Sequence, residues 1–569
     1  MGKHIFRSHF FGVGLAALVL LFSLVLVSAD SDADLWRRPF ANQVARGLGA
    51  DAGGGHCPPL PDPTGDVVSV STVAELLGAM DDLTANTTIL MVDGTYELHG
   101  SQLWFDVPGV TLRSTSGNRE AVILDGNYET NEIVTIAASD VTVADLTLKR
   151  ARTHPIHVAP PPDADIENAL VYNVHIIDPG QQAIKINQNG THYPDDGVVA
   201  CSHIELTDAG RPRIWELNDS CYTGGVDGHQ VWGWVIRDNL IEGFWCQEGL
   251  SEHGVHFWTG SRDTVVERNV LINNARGVGF GLGESDGGRV YGDDPCPGTG
   301  YVGHFDGIIR NNFIFVERDA LFASEFGFDC GICLAQACGT QVPHNTVVST
   351  DVPFSSIEWR FANTDAEIAN NLVSHNLQDR GGVASLAGNL DYAPLTLFVD
   401  GAGGDLHLSA EASVAIDRGV TLAAGLSDDD IDGDARPIGS APDIGADEYR
   451  SPAPAAVADL RVVQAITTTD ILTVTLRWTA PAEAVTYTLR YNDALISESN
   501  WGGAVPIAVP FAATPGGLEW LTAPVSHSGG TVYFALKSQN AGGDWSNLPN
   551  NAFWPFWDVL LPVVLKGEP

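Results

Sequence analysis

Lysine is what this chain most nearly does without: between Asp30 and Arg450 only Lys149 and Lys185 occur. Asp and Glu outnumber Lys and Arg by 71 to 30, a formal net charge of −41, and the excess is spread along the chain rather than gathered in blocks. Nucleic acid and an anionic membrane surface would both be repelled, so neither is an expected partner. An anionic polymer requires basic residues or a metal concentrated locally. Long amphipathic helical patterns are missing too, which excludes a doubly wound sheet. No second Cys-x-x-Cys or His pair accompanies Cys330-Gly-Ile-Cys333 and Cys338, so a zinc set is incomplete. The eight cysteines, Cys57, Cys201, Cys221, Cys246, Cys296, Cys330, Cys333 and Cys338, are an even number. In an exported chain that favours disulfides, with the pairing left open.

Export is what the first 29 residues suggest. Lys3 and Arg7 precede an apolar run over 10–27, and Val27-Ser28-Ala29 offers a small-residue cleavage site. The run is also long enough for an uncleaved anchor. A secreted or cell-surface monomer, without membrane insertion after signal removal, is expected. Residues 30–64 are rich in Gly, Pro and Asp and read as a linker or mobile arm.

Beyond residue 64 the chain is repetitive. Thr72-Val-Ala-Glu75 is a capping box that opens a short helix, and a strand is expected over 88–92. Short apolar runs then recur around a polar step: LVYNVHI, VACSHIEL, WVIRDNLI, TVVERNVLI, GIIRNNFIF, VPHNTVV and AEIANNLV. The step is read as Asn173, Asn239, Asn269, Asn312, Asn345 and Asn371, with His203 taking the slot once. A constant core with variable intervals means a stacked coil whose insertions sit at its turns, with an asparagine ladder at the bend.

The opening VSTVAELL…TTILMVDGTYEL, these repeats and the closing DGDARPIGSAPDIGADEY resemble the right-handed parallel β-helix proteins of the pectate-lyase-like superfamily. The opening is most similar to the branch with chondroitinase B and the alginate lyases. The resemblance covers 65–449 and implies fold more specifically than activity, since lyases, glycosidases, epimerases, adhesins and phage tailspikes share such repeats. Trp478, Tyr487, Tyr491 and Tyr533 within the alternating segment 455–549 resemble the aromatics of a fibronectin type III domain. The expected fold is therefore all-β: a right-handed parallel β-helix followed by a fibronectin type III sandwich and an apolar tail over 550–569. The tail reads equally as a sorting segment or as a strand packed on the sandwich.

Aligning the coils brings Gln182-Ala-Ile-Lys185, Gly224-Gly-Val-Asp227, His253-Gly-Val-His256 and Arg276-Gly-Val-Gly279 to one position. Alternate residues on a strand face opposite sides. Ile184, Val226, Val255 and Val278 should point inward, leaving Lys185, Asp227, His256 and Gly279 in an outward column facing water. Gln182, Gly224, His253 and Arg276 would form a second row. A uronate β-elimination needs a base, a group that neutralises the carboxylate and a proton donor. His256 or Lys185 is expected as base, Arg276 or calcium as neutraliser, and His229 or His253 as donor. Glu252, Trp245 and Trp258 are candidate substrate contacts. The column also reads as an ion-pair ladder, as does Arg237, Glu267, Arg310. Asp428, Asp430, Asp432 and Asp434 alternate as in a calcium loop, though without the later Glu of an EF-hand. Calcium is the one cofactor the sequence points to.

The departures are plain. The calcium cluster and Arg motif of pectate lyases, the acidic set of polygalacturonases and the Lys-to-Arg arrangement of alginate and chondroitin lyases are not matched. A secreted polysaccharide lyase leads the functional expectations. A non-catalytic adhesion or carbohydrate-binding protein is the alternative, and a glycoside hydrolase using Asp227 with Glu252 or Glu248 is third.

Overall fold

Thr72 caps the helix Val73–Asp81: its hydroxyl accepts the Glu75 N–H at 3.2 Å, while the Glu75 carboxylate reaches back to the Ser71 N–H at 2.7 Å. From there the computed structural model is built of short strands. It describes residues 57–283, 287–467, 471–526, 530–540, 543–548 and 551–555. The export signal, most of the linker and most of the tail lie outside the described residues. The described end of the linker is tied down, because Cys57 is bonded to Cys201 and Arg113 donates to the Pro61 carbonyl.

Three long parallel sheets form the solenoid, one of 14 strands and two of 10. A typical turn contributes one strand to each sheet, and two turns add a second short one to the first, Ser261–Arg262 and His304–Phe305, so strands pair with their counterparts a coil away. In the third sheet the order runs from Leu103–Phe105 through Gln182–Asn187, Gly224–His229, Val255–Trp258 and Arg276–Phe280 to Leu377–Arg380. Val134, Ile156, Ile184, Val226, Val255, Val278, Ile332 and Ile357 stack inward and are fully buried. This continuous apolar interior is the main favourable term for a solenoid, whose coils cannot bury their faces alone. The architecture is a parallel β-helix, as the repeats predict.

The asparagine ladder is present. Asn239, Asn269, Asn312, Asn345 and Asn371 each donate through their side-chain amide to the next one's oxygen at 2.9–3.0 Å, and Asn389 continues the series. Two assignments shift by one residue. In the two coils before Asn239 the slot falls on Val174 and on Ser202, whose hydroxyl accepts the Val174 N–H, so Asn173 stands one residue before the slot and His203 one after it. Asn173 instead occupies the corner before the slot. Asp145, Asn173, Cys201, Asp238, Arg268, Asn311, His344 and Asn370 all adopt φ between 50° and 59° there. A single left-handed residue makes the bend, and Asn tolerates that conformation, so Asn recurs at the corner as well as in the hydrogen-bonded slot beside it.

All eight cysteines are paired: Cys57–Cys201, Cys221–Cys246, Cys296–Cys338 and Cys330–Cys333. C-terminal to the solenoid, a three-stranded antiparallel sheet holds Arg461–Thr467, Ile471–Thr479 and Leu518–Ser526. A four-stranded sheet holds Thr486–Asn492, Val505–Ile507, Val532–Gln539 and Ala552–Trp554. Trp478 and Tyr487 pack edge to face at 5.3 Å in the shared core, while Tyr533 lies with Trp501 in a smaller cluster. The strand Ala552–Trp554 extends the sandwich past 549 because it pairs with Val532–Phe534. No helix among the described residues is long and apolar enough to cross a membrane.

Candidate active site

Strand alternation fixes the outward position of the third sheet, and register sets what stands there. His157, Lys185, Asp227, His256, Gly279, Cys333 and Glu358 are successive partners in seven adjoining strands. The expected column of cation, carboxylate and imidazole therefore exists. It does not face water. Lys185 is 8%, Asp227 3% and His256 0% exposed. Side chains from the strand ends fold over it: the Trp258 ring stacks on His256 with centroids 5.4 Å apart, and the His253 ring lies 4.3 Å from it.

Gly279 explains part of that cover. A Cβ at this position would come within 2.5 Å of His253 Nε2, so the missing side chain makes the slot into which His253 folds. The repeat x-Gly-Val-x-Phe keeps its backbone in each coil, while the variable position exchanges charge for space.

The buried charges compensate one another. Lys185 Nζ is bonded to Asp227 Oδ2 and lies 2.8 Å from His229 Nε2, which is itself 3.1 Å from Asp227 Oδ2. Trp258 Nε1 donates to Asp227 Oδ1 at 3.2 Å. Burial would raise the Asp227 carboxyl, but the Lys185 and His229 charges and the hydrogen bonds from His229 and His256 hold it well below the usual carboxylate range. His256 sends Nε2–H to the Gly281 carbonyl at 3.1 Å, and its Nδ1 faces Glu252 Oε2 at 3.3 Å and Asp227 Oδ1 at 3.4 Å. Both ring nitrogens thus face acceptors. Burial opposes the charge, yet the two carboxylates outweigh it and lift the imidazole to about 9. The upward shift and the full burial of the ring both disfavour His256 as a base toward a polymer.

Several expected roles change with these contacts. Burial, reinforced by the His256 and Arg276 charges, keeps His253 neutral, and at 2% exposed it does not reach a polymer as a proton donor. Trp245 is 4% exposed and covered by the Arg211 guanidinium at 4.1 Å, so it offers no face to a sugar. Burial raises and the His256 contact lowers the Glu252 carboxyl, with a net fall, and Glu252 serves His256 first. Arg276 bonds Asp329 Oδ2 through Nε at 3.0 Å, and its terminal amino groups carry no hydrogen bond among the described residues. It stands five register positions from His229, roughly 16 Å along the strand. The predicted constellation is therefore split between the two edges of one sheet.

His157 belongs to the column as well and escapes the sequence alignment. It contacts Glu132 Oε1 and Asn187 Oδ1, each at 2.8 Å, beside Lys185. The run Ile156-His157-Val158 carries the same alternation one coil earlier, so an alignment extended by one coil finds it. On the neighbouring face Arg237, Glu267 and Arg310 are in register, but of the two arginines only Arg310 bonds Glu267, at 2.8 Å, while Arg237 pairs with Asp238.

The acidic loop is arranged differently from a calcium loop. Asp430 is fully buried and accepts the backbone N–H groups of Asp432, Asp434 and Glu448. Asp428 accepts from Gly425, Asp434 pairs with Arg450, and Asp432 faces His407. The four carboxylates serve four different partners because the turn's own N–H groups claim the central one.

No family model matches this chain, and no curated protein matches it. Among solved structures, the PL6 family alginate lyase AlyGC aligns with 69% of this chain at 13% identity and a TM-score of 0.29, and the chain spans 60% of that protein's length. An alginate lyase from Paenibacillus sp. str. FPU-7 aligns with 56% of this chain and 98% of its own, at 10% identity and a TM-score of 0.27. A polygalacturonase from Erwinia carotovora ssp. carotovora aligns with 58% of this chain and 96% of its own, at 10% identity and a TM-score of 0.26. Similarities this low carry no argument about activity. On its own strand pairings, this chain is a parallel β-helix protein with a polar, charge-compensated column on one face.

Proposed function

We propose that the chain is a secreted carbohydrate-active protein that cleaves a uronate-containing polysaccharide by β-elimination, with Lys185, Asp227 and His229 as its proton-transfer centre. One observation carries this reading. His229 Nε2 lies between an ammonium and a carboxylate, 2.8 Å from Lys185 Nζ and 3.1 Å from Asp227 Oδ2, and cannot satisfy both in one protonation state. Its Nδ1 makes no hydrogen bond among the described residues, and the side chain is 22% exposed.

One tautomer of His229 suits both halves of an elimination, its Nδ1 acting first as base and then as acid. With Nε2–H given to Asp227, Nδ1 is a lone pair that takes the proton from C5 of the uronate. The C4–O bond breaks as the C4–C5 double bond forms, and the same Nδ1 then returns the proton to the leaving oxygen. Asp227 stabilises the imidazolium between these events, and the Lys185 ammonium offsets the charge that builds on the substrate carboxylate. Trp258, whose ring meets His229 edge to face at 4.6 Å, supplies an apolar wall for a sugar ring. Arg276 takes the carboxylate of a more distant uronate on the same strand of polymer.

The burial of Asp227 and His256 favours a second reading, a non-catalytic solenoid that binds polysaccharide on this face. Absorbance of the unsaturated uronate product, followed over a panel of uronate polymers, separates the two. A rise supports elimination, reducing ends without a rise indicate hydrolysis, and retention of polymer without reaction supports binding.

A further inference from the structure

A separate group of chemistry-bearing side chains lies where the chain, after the last coil, folds back along the outer flank of the second sheet, with His407 against Phe313. Residues 409–450 there are mostly turns packed over a small apolar cluster that includes Leu406, Leu408, Ile431, Ile444 and Ala446. His407, on the strand Asp405–Leu408, points Nδ1 at Asp405 Oδ1, 2.6 Å away, and Nε2 at Asp432 Oδ2, 3.1 Å away. Asp447 approaches from the last turn. It is 6% exposed, and its Oδ2 accepts the Leu408 N–H at 2.7 Å.

The three side chains converge. Nε2 of His407 and one oxygen each of Asp432 and Asp447 lie within 4.8 Å of one another. They line a cavity of about 600 Å³ with Asp434, Tyr449 and Arg450. Asp405, Asp432 and Asp447 gather around one imidazole, and carboxylates brought this close repel one another. A cation between them offsets that repulsion. Ligand atoms bound to one metal at 2.0–2.2 Å lie about 3–4 Å apart, so small side-chain rotations close the set.

We propose that His407, Asp432 and Asp447 bind one divalent transition-metal ion of the zinc type, with Asp405 as the residue that orients the imidazole. The donor set decides the class. Calcium and magnesium take oxygen ligands, whereas an imidazole nitrogen with two carboxylates suits zinc and its neighbours. The Asp405 contact to Nδ1 is the outer carboxylate that metal-bound histidines commonly carry, and it leaves Nε2 for the ion. Bound there, the ion ties a strand, the acidic loop and the turn that carries Asp447 together over this apolar cluster. Its role is to hold the segment against the flank of the sheet.

The test is calorimetric titration of the chelator-treated full chain with zinc, cobalt and calcium salts, paired with thermal melts and the visible spectrum of the cobalt form. One equivalent of zinc binds, the melting midpoint rises, and cobalt shows ligand-field bands. His407→Gln and Asp432→Asn each weaken zinc at least 100-fold; Asp432 is more than half exposed, so that variant keeps its fold. Asp405→Asn weakens zinc about tenfold, and Asp428→Asn leaves it unchanged. Zinc binding that survives His407→Gln, as it would on the stacked pair His175 and His203, overturns the assignment. So does a preference for calcium that His407→Gln does not alter.

Discussion

His229 Nε2 lies 2.8 Å from Lys185 Nζ, two residues on adjoining strands whose polar atoms meet over the carboxylate of Asp227. Neither residue is unusual alone. Their meeting depends on a register that sets Lys185 opposite Asp227 and Asn187 opposite His229, so His229 leans back across the strand to reach the ammonium.

Removing the central anion should be costly. Asp227→Asn leaves Lys185 and His256 buried with reduced compensation, and a loss of about 3–5 kcal/mol is expected from the urea-unfolding midpoint. The double variant Asp227→Asn with Lys185→Met should recover part of that loss, because it removes the stranded charge. A double variant no more stable than the single one contradicts the compensation described here.

Stability should also depend on pH through His256. Its folded pKa, about 9, lies above the ordinary 6.5, so its contribution is fully present below about 6.5 and is lost as pH rises through about 9. Asp227 acts in the opposite sense: its folded pKa is depressed, so its contribution is present above about 3.8 and is lost only in stronger acid. Thermal melts between pH 6 and 10 should show a decline that His256→Gln flattens; parallel curves for the two proteins would exclude His256 as its source.

The ladder gives a third test. Asn312→Ala removes donors to Asn345 Oδ1 and to the Val266 and Arg310 carbonyls, together with the acceptor for the Asn269 amide, all within the buried corner. A loss of about 1–3 kcal/mol per unpaired group is expected, more than for the terminal Asn389→Ala. Equal effects at the two positions would mean that the ladder does not act through burial.

Trp258 should matter to substrate more than to rate. Trp258→Phe keeps an apolar ring but loses the hydrogen bond to Asp227, and a rise in KM of about tenfold with a smaller change in kcat is expected. A fall in kcat at unchanged KM would assign Trp258 to tuning Asp227 rather than to holding sugar.

The coil and its register were legible in the sequence because a period of two is rigid: once Ile184, Val226 and Val255 face inward, Lys185, Asp227 and His256 have one place to go. The corner was less legible, since Asn suits both the left-handed bend and the ladder slot beside it, and Asn173 differs from Asn239 only by one step. Cover over the column was not legible. It depends on His253 folding into the space above Gly279 and on Trp258 turning across His256, which are packing outcomes between coils rather than properties of either run. Asp329, which holds Arg276, stands in the next coil of this sheet beyond a long insertion, so spacing offered no signal for it.

The most direct measurement is kcat for elimination on a uronate polymer that the wild-type chain cleaves, compared with His229→Gln, with circular dichroism melts confirming that both are folded. The account predicts a fall of at least 100-fold for the variant with little change in KM. Rates within twofold of one another would contradict it and move the chemistry away from the Lys185–Asp227–His229 triangle.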